Sequence, residues 1–237
     1  MVDLHRHDEF SLYDGFGKPL QLAKIAQEKG HTSLSVTNHG TTSGLAEHYF
    51  ACKEVGIKAI MGVEAYFQPV FSKEKSRYHL CLYALNLEGY KNMNIIMTKA
   101  NMEQMYYKPI VDFKLLEDHS EGLICSSACI QGALSHAILN KKRKVVNKLL
   151  KRFVDIFGDR FYVEIQPYKI DEKGTQEKVN RGLMKLAQAY GLKCILTSDS
   201  HYGRKEDFPS YLKMHEMKNA DLEKISDTYW ERYMPTE

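Results

Sequence analysis

Residues 3–7 read Asp-Leu-His-Arg-His, and residues 197–201 read Thr-Ser-Asp-Ser-His. Each stretch places two metal-binding side chains at i and i+2, His5 with His7 and Asp199 with His201. In an extended chain those two side chains point the same way, so both can reach one cation. A lone His-x-His is more often surface than ligand. The matching Asp-x-His near the other end shifts the reading toward metal. Asp14, His39, Glu64, His79 and Cys129 bring the candidate ligands to nine. Imidazole, carboxylate and thiolate together suit zinc or manganese better than calcium or magnesium. Nine ligands exceed the needs of one four-coordinate ion. A cluster of two or three metals follows, and such clusters usually carry phosphoryl chemistry.

The candidates fall where strands should end. Strand-like runs are expected at Asp3–His5, Ser33–Thr37, Ala59–Phe67, His79–Leu85, Gly122–Ser126, Phe161–Ile165 and Cys194–Thr197. Helix-like runs are expected at Pro19–Glu28, Ser43–Val55, Leu87–Gln104, Gln131–Leu139, Lys142–Ile156, Glu172–Tyr190 and Lys205–Met217. Pro19 suits a first helical turn, and Gly30, Gly56 and Gly191 sit where helices should stop. Alternating β and α units imply a parallel sheet, and about seven of them favour closure into a barrel. In such folds the site forms at the carboxyl ends of the strands. His5, His7, His39, Glu64, Cys129, Asp199 and His201 should therefore meet at one mouth. His79 opens its strand and breaks the pattern unless that strand runs the other way.

Composition narrows the class. The 237 residues allow one large α/β domain, and 43% hydrophobic content is a globular value. No apolar run is long enough to span a membrane, and the start does not resemble a signal peptide. Five cysteines without tight spacing argue for a reducing compartment, hence a cytoplasmic protein. A net charge of +3 is too small to show nucleic-acid binding. There is no P-loop and no Gly-x-Ser-x-Gly, which disfavours nucleoside-triphosphate hydrolysis and serine hydrolase chemistry.

Each candidate has a bland alternative. Asp14-Gly15 reads equally as a turn or a ligand. Gly40 lets the chain turn after His39. Glu64 lies inside the apolar strand Met61–Tyr66, where an unpaired carboxylate is costly; two shared cations or a buried salt bridge would resolve it. Cys129 precedes Gln131-Gly132 at a strand-to-helix turn, whereas Cys52, Cys81, Cys125 and Cys194 read as small core residues. His31, His48, His119, His136 and His215 read as structural, and Glu164 and Gln166 as polar support at a strand end. Arg6, Arg204 and the basic run Lys141–Lys144 are the candidate phosphate contacts, with a solvated face as the default for the run.

Taken in order, the motifs resemble the polymerase and histidinol phosphatase (PHP) family, and most of all the domain that begins bacterial replicative polymerase III alpha subunits. Leu4–His7 with Ser11–Gly15, Val36–Gly40, Gly62–Tyr66 and Thr197–Tyr202 carry the resemblance, with support from His79–Ala84 and Cys129–Gly132. It covers essentially the whole chain. It implies a distorted seven-stranded β/α barrel holding three divalent ions, zinc or manganese, with iron as an alternative. By resemblance His5, His7, Glu64 and Asp199 bind one ion. Glu64 bridges to a second held with His79 and Cys129. Asp14, His39 and His201 bind the third. His5, His7, Glu64 and Asp199 form the catalytic group. One departure is Asn38, where many relatives have Asp. Residues 1–237 read as a single PHP domain, excised from a longer polymerase or standing alone. The expected activity is 3′–5′ exonuclease action on single-stranded or mismatched DNA ends, beside polymerase domains of the same or a partner chain. A small-molecule phosphomonoesterase and a silent structural module of the polymerase are the alternatives.

Overall fold

The computed structural model describes residues 2–69, 77–168, 171–217, 229 and 231–236. In chain order it contains α1 (Pro19–Glu28), β1 (Ser33–Val36), α2 (Leu45–Glu54), β2 (Lys58–Phe67), β3 (Tyr78–Ala84), α3 (Leu87–Glu103), β4 (Met105–Tyr106) and β5 (Lys108–Val111). It continues with α4 (Phe113–His119), β6 (Leu123–Ser126), α5 (Ala133–Leu139), α6 (Arg143–Phe157), β7 (Phe161–Ile165), α7 (Thr175–Tyr190), β8 (Lys193–Leu196) and α8 (Phe208–Glu216).

The sheet runs β1-β2-β3-β6-β7-β8, with the β4-β5 hairpin attached to the last two residues of β2. The N-terminal segment curls it into a ring. Asp3 bridges Leu34 on one side, and Arg6 bridges Ser200 on the other, both parallel. Backbone bonds from Ser35 N to Asp3 O (3.1 Å) and from His7 N to Ser200 O (2.9 Å) make the closure. The distorted seven-membered barrel is therefore present, but its first member is a bridged segment rather than the regular strand expected at Asp3–His5.

β3 runs antiparallel to β2 and to β6. Its start consequently lies level with the carboxyl ends of its neighbours, which brings His79 to the mouth. Two layers of packing follow from strand alternation. Val63, Ala65, Phe67, Leu80 and Leu82 face outward into the main core beneath the helices. Cys81 and Tyr83 face inward with Ala128. Phe153 of α6 stacks on Phe161 at 5.0 Å and 3° and touches Phe67 and Phe113. Truncating such a ring to alanine costs about 3–5 kcal/mol.

Local signals explain most helix boundaries. Pro19 opens α1, the Asn86 and Asp112 side chains cap α3 and α4, and Gly191 ends α7 at φ 64°. The expected helix Lys205–Met217 is split into a 3-10 turn (Lys205–Asp207) and α8. Strands β4 and β5 and helix α4 were not anticipated.

Candidate metal centre

Alternation along residues 5–7 sends His5 and His7 into the barrel and Arg6 outward. Both imidazoles are fully buried. On β2 and β3 the register pairs Glu64 with Cys81 and Tyr66 with His79, so Glu64 and His79 share the inner face. Cys129 enters from the turn after β6. Asp199 and His201 enter from the loop after β8, where Asp199 adopts φ 49°, a left-handed conformation that Asp tolerates. Asp14 and His39 complete the mouth on its more open side, at 21% and 16% side-chain exposure. All nine residues thus converge.

Their atoms fall into overlapping groups. His5 Nε2 lies 3.3 Å from Glu64 Oε1 and 3.3 Å from Asp199 Oδ1. His7 Nε2 lies 3.3 Å from Glu64 Oε2 and from Asp199 Oδ1. Donors about 2.0–2.1 Å from one tetrahedral cation are spaced about 3.3 Å apart, so this spacing fits a shared ion. Glu64 Oε1 also lies 2.9 Å from His79 Nδ1 and 3.7 Å from Cys129 Sγ, which is 3.4 Å from the same His79 nitrogen. Asp14 lies 3.5 Å from His39 Nε2 and 3.5 Å from His201 Nε2. His39 turns its other nitrogen to Glu64 Oε2 at 2.9 Å.

Some of these buried atoms lack a well-formed hydrogen bond: both nitrogens of His7 and Oδ1 of Asp199. Orphaned polar atoms in a closed interior are costly. A divalent cation beside His7 Nε2 and Asp199 Oδ1, which lie 3.3 Å apart, would satisfy both of those atoms, so the donor set fits one.

The surrounding residues aim the donors. Glu164 Oε1 accepts from His5 Nδ1 at 2.6 Å, leaving Nε2 to face the cluster. Ser126, Thr197 and Gln166 donate to the same carboxylate, which fixes it. His201 Nδ1 donates to the Asp199 carbonyl at 2.7 Å, and its Nε2 faces Asp14. Ser11 Oγ donates to Asp14 Oδ2 at 2.8 Å, and Asp14 N donates to Ser11 O, so the turn and the ligand position coexist. Asn38 exchanges hydrogen bonds with Asp8; a carboxylate at residue 38 would face another carboxylate there.

Arg232 adds a feature absent from the sequence reading. It is buried and pairs through Nη1 with Asp199 Oδ2, leaving Oδ1 to the cluster. Its guanidinium lies 4.6 Å from the Tyr168 ring and 4.5 Å from the Tyr229 ring. The C-terminal segment delivers it by bonding back to the mouth: His201 N donates to Arg232 O, and Met234 N to Tyr202 O.

The electrostatics are those of a cation site. Burial opposes ionisation of Glu64, but His79, His39 and His5 hold its carboxyl well below the usual range. Asp199 is lowered likewise against burial by His5, Arg232 and His201, and Asp14 by His39, His201 and His7. Burial lowers His7, yet Asp14, Asp199 and Glu64 prevail and raise it to about 9. Burial and the neighbouring Glu64 and Asp199 push the Cys129 thiol up, so only a cation would make it a thiolate at neutral pH.

The expected phosphate contacts lie elsewhere. Arg6 is 1% exposed and points into the protein, donating from Nε to Ser35 O at 2.9 Å beside His48. The i, i+2 rule that turns the histidines inward turns Arg6 away. Arg204 is exposed and pairs with Glu28 of α1. Lys141 and Arg143 line a cleft between α5, α6 and α7. Cys194 is exposed rather than a core residue.

Among the described residues, no helix is long and apolar enough to cross a membrane. Residues 3–168 match the PHP domain family. DNA polymerase III subunit alpha of Helicobacter pylori is 41% identical over 219 residues, covering 86% of this chain and 18% of that protein. The Aquifex aeolicus subunit is 39% identical, covering 87% and 18%. Among solved structures, an amidohydrolase from Chromobacterium violaceum superposes with a TM-score of 0.55 at 15% identity, covering 84% of this chain and 87% of that one. A protein from Bifidobacterium adolescentis assigned as a metal-dependent phosphoesterase gives 0.54 at 14%, with the same coverage. At such identities these two show the fold alone. The barrel, its inward His, Asp, Glu and Cys side chains and these matches together place the chain in the PHP domain family, among relatives of bacterial DNA polymerase III alpha subunits.

Proposed function

We propose that this chain is a metal-dependent phosphodiesterase, acting as a 3′–5′ exonuclease on single-stranded or mismatched DNA ends. The carrying observation is Glu64. This 1%-exposed carboxylate turns one oxygen toward His5, His79 and Cys129 and the other toward His7 and His39. Three divalent ions, zinc or manganese with iron as the alternative, would be held by His5, His7, Glu64 and Asp199; by Glu64, His79 and Cys129; and by Asp14, His39 and His201. When bound, such ions supply Lewis acidity and neutralise phosphate charge. Glu64 keeps two ligand groups at a fixed spacing. Glu164 holds His5 in the tautomer that presents Nε2, and Arg232 holds Asp199 with one oxygen free.

The similarity to polymerase III alpha subunits, of which this chain spans 18%, supports a DNA substrate, a cytoplasmic setting and polymerase domains as neighbours. The test is degradation of a 3′-mismatched primer with manganese or zinc, by wild type and by Glu64→Ala purified identically. Metal-dependent degradation lost in Glu64→Ala supports the reading. Equal rates would assign the activity to a contaminant. Hydrolysis of p-nitrophenyl phosphate without primer degradation would favour a small-molecule phosphomonoesterase. Neither activity, with metal still stabilising the fold, would favour a structural module.

A further inference from the structure

β4 and β5 form a hairpin whose turn is the single residue Tyr107, since Tyr106 pairs with Lys108. Tyr107 has φ 58°, a conformation that costs a bulky residue and that glycine would adopt freely. It is also 81% exposed, so most of its ring is open to solvent. Met105 and Tyr106 beside it are 52% and 42% exposed. The Tyr106 and Tyr107 rings meet edge to face at 5.0 Å. The Arg77 guanidinium lies over both, at 5.7 and 5.4 Å from their centroids. Residues 104–111 contain no acidic side chain.

The ridge leads to the metal centre. β5 pairs with β2 at Tyr66 and Phe67, the mouth end of that strand. Lys108 Nζ lies 5.1 Å from the Tyr66 ring centroid, and the Tyr66 ring stacks on His39 at 5.6 Å and meets His79 at 5.7 Å. From the cluster outward the order is thus His39, Tyr66, Lys108 and the Tyr106-Tyr107 pair under Arg77. Rings interleaved with cations match a chain of stackable bases joined by phosphates. The Tyr107 ring, held at an unfavourable φ and largely open to solvent, is displayed rather than buried.

We propose that this ridge is a stacking platform for a single-stranded nucleic-acid end, with Tyr107 and Tyr106 taking bases and Arg77 and Lys108 their phosphates. It deepens the exonuclease reading and rests on it for the strand's destination. The experiment separates binding from hydrolysis. A 5′-fluorescein oligothymidylate of about eight nucleotides is titrated with protein in chelator, and anisotropy is followed at several salt concentrations. Tyr107→Gly suits the backbone and so keeps the fold. It should weaken binding about ten-fold, the loss of roughly one stacked base, while Tyr107→Trp should retain wild-type affinity. Lys108→Ala and Arg77→Ala should each reduce the slope of log K against log salt by about 0.7. Unchanged affinity in Tyr107→Gly, equal losses in the Gly and Trp variants, or wild-type binding too weak to measure would each overturn the proposal. So would ridge variants that bind the oligonucleotide normally but lose a polymerase partner. Because this assay reads binding alone, a protein that binds through the ridge yet fails the primer-degradation test refutes the exonuclease reading and leaves the platform standing.

Discussion

Glu164→Gln keeps the shape of a buried side chain and deletes its charge. Glu164 Oε1 accepts from His5 Nδ1 at 2.6 Å, Thr197 Oγ1 at 2.7 Å and Gln166 Nε2 at 2.9 Å, while Oε2 accepts from Ser126 Oγ at 2.6 Å. In the variant the amide oxygen can occupy the three-donor position, and the amide nitrogen can donate to the Ser126 hydroxyl after it rotates. The network survives, so the fold should lose only about 1 kcal/mol. His5 loses more, because a bond to an ionised acceptor is roughly twice as strong as a neutral one, and the carboxylate raises the basicity of Nε2. Removing a partner of this kind costs about 10–100-fold in metal affinity, or about 1.4–2.7 kcal/mol. Zinc titration against a chromophoric chelator reads the affinity, and thermal unfolding of the metal-free protein reads the fold. Affinity within about two-fold of wild type, in a variant that melts normally, would refute the claim that Glu164 sets the His5 ligand.

Arg232→Ala should release Asp199 from its one-sided hold, lowering zinc affinity and altering the cobalt absorption spectrum, with partial rescue by Arg232→Lys; an unchanged spectrum would contradict this. Cys129→Ser should weaken one metal equivalent while Cys194→Ser leaves all of them intact; equal effects would show that Cys129 is no ligand. His48 gives a pH prediction. Burial and then Arg6 depress it to about 3, so it stays neutral when folded while the unfolded form takes a proton near 6.5. Its stabilisation is complete above pH 6.5 and is lost below it by about 1.4 kcal/mol per unit, until the folded form also protonates near 3. Denaturant unfolding of wild type and His48→Gln between pH 7 and 4 should show a flatter profile in the variant, and parallel profiles would contradict the assignment.

Much of this was legible in the sequence because it is local. Pro19, the Asn86 cap of α3 and the apolar spacing of α6 fixed those helices wherever the chain led, whereas the seven-residue α4 is too short to show a period although Asp112 caps it. The i, i+2 spacing of His5 and His7 fixed their common direction and, equally, the outward burial of Arg6, which the reading as a phosphate contact overlooked. The direction of β3 was not legible. Alternation looks the same in either sense, and only pairing with β2 and β6 reveals that His79 begins its strand at the mouth. Arg232 was hidden because its position depends on the terminal segment folding back onto residues 201–202. The Met105–Lys108 hairpin was hidden because a one-residue turn at tyrosine carries no turn signal.

The central claim is that Glu64 joins two ions within one cluster. Anomalous diffraction from crystals loaded with manganese or zinc tests it most directly. The account predicts one peak among His5 Nε2, His7 Nε2, Glu64 and Asp199, a second shared by Glu64, His79 and Cys129, and a third near Asp14, His39 and His201. Loaded crystals with no peak beside Glu64, or with a single peak that Glu64 does not contact, would contradict it.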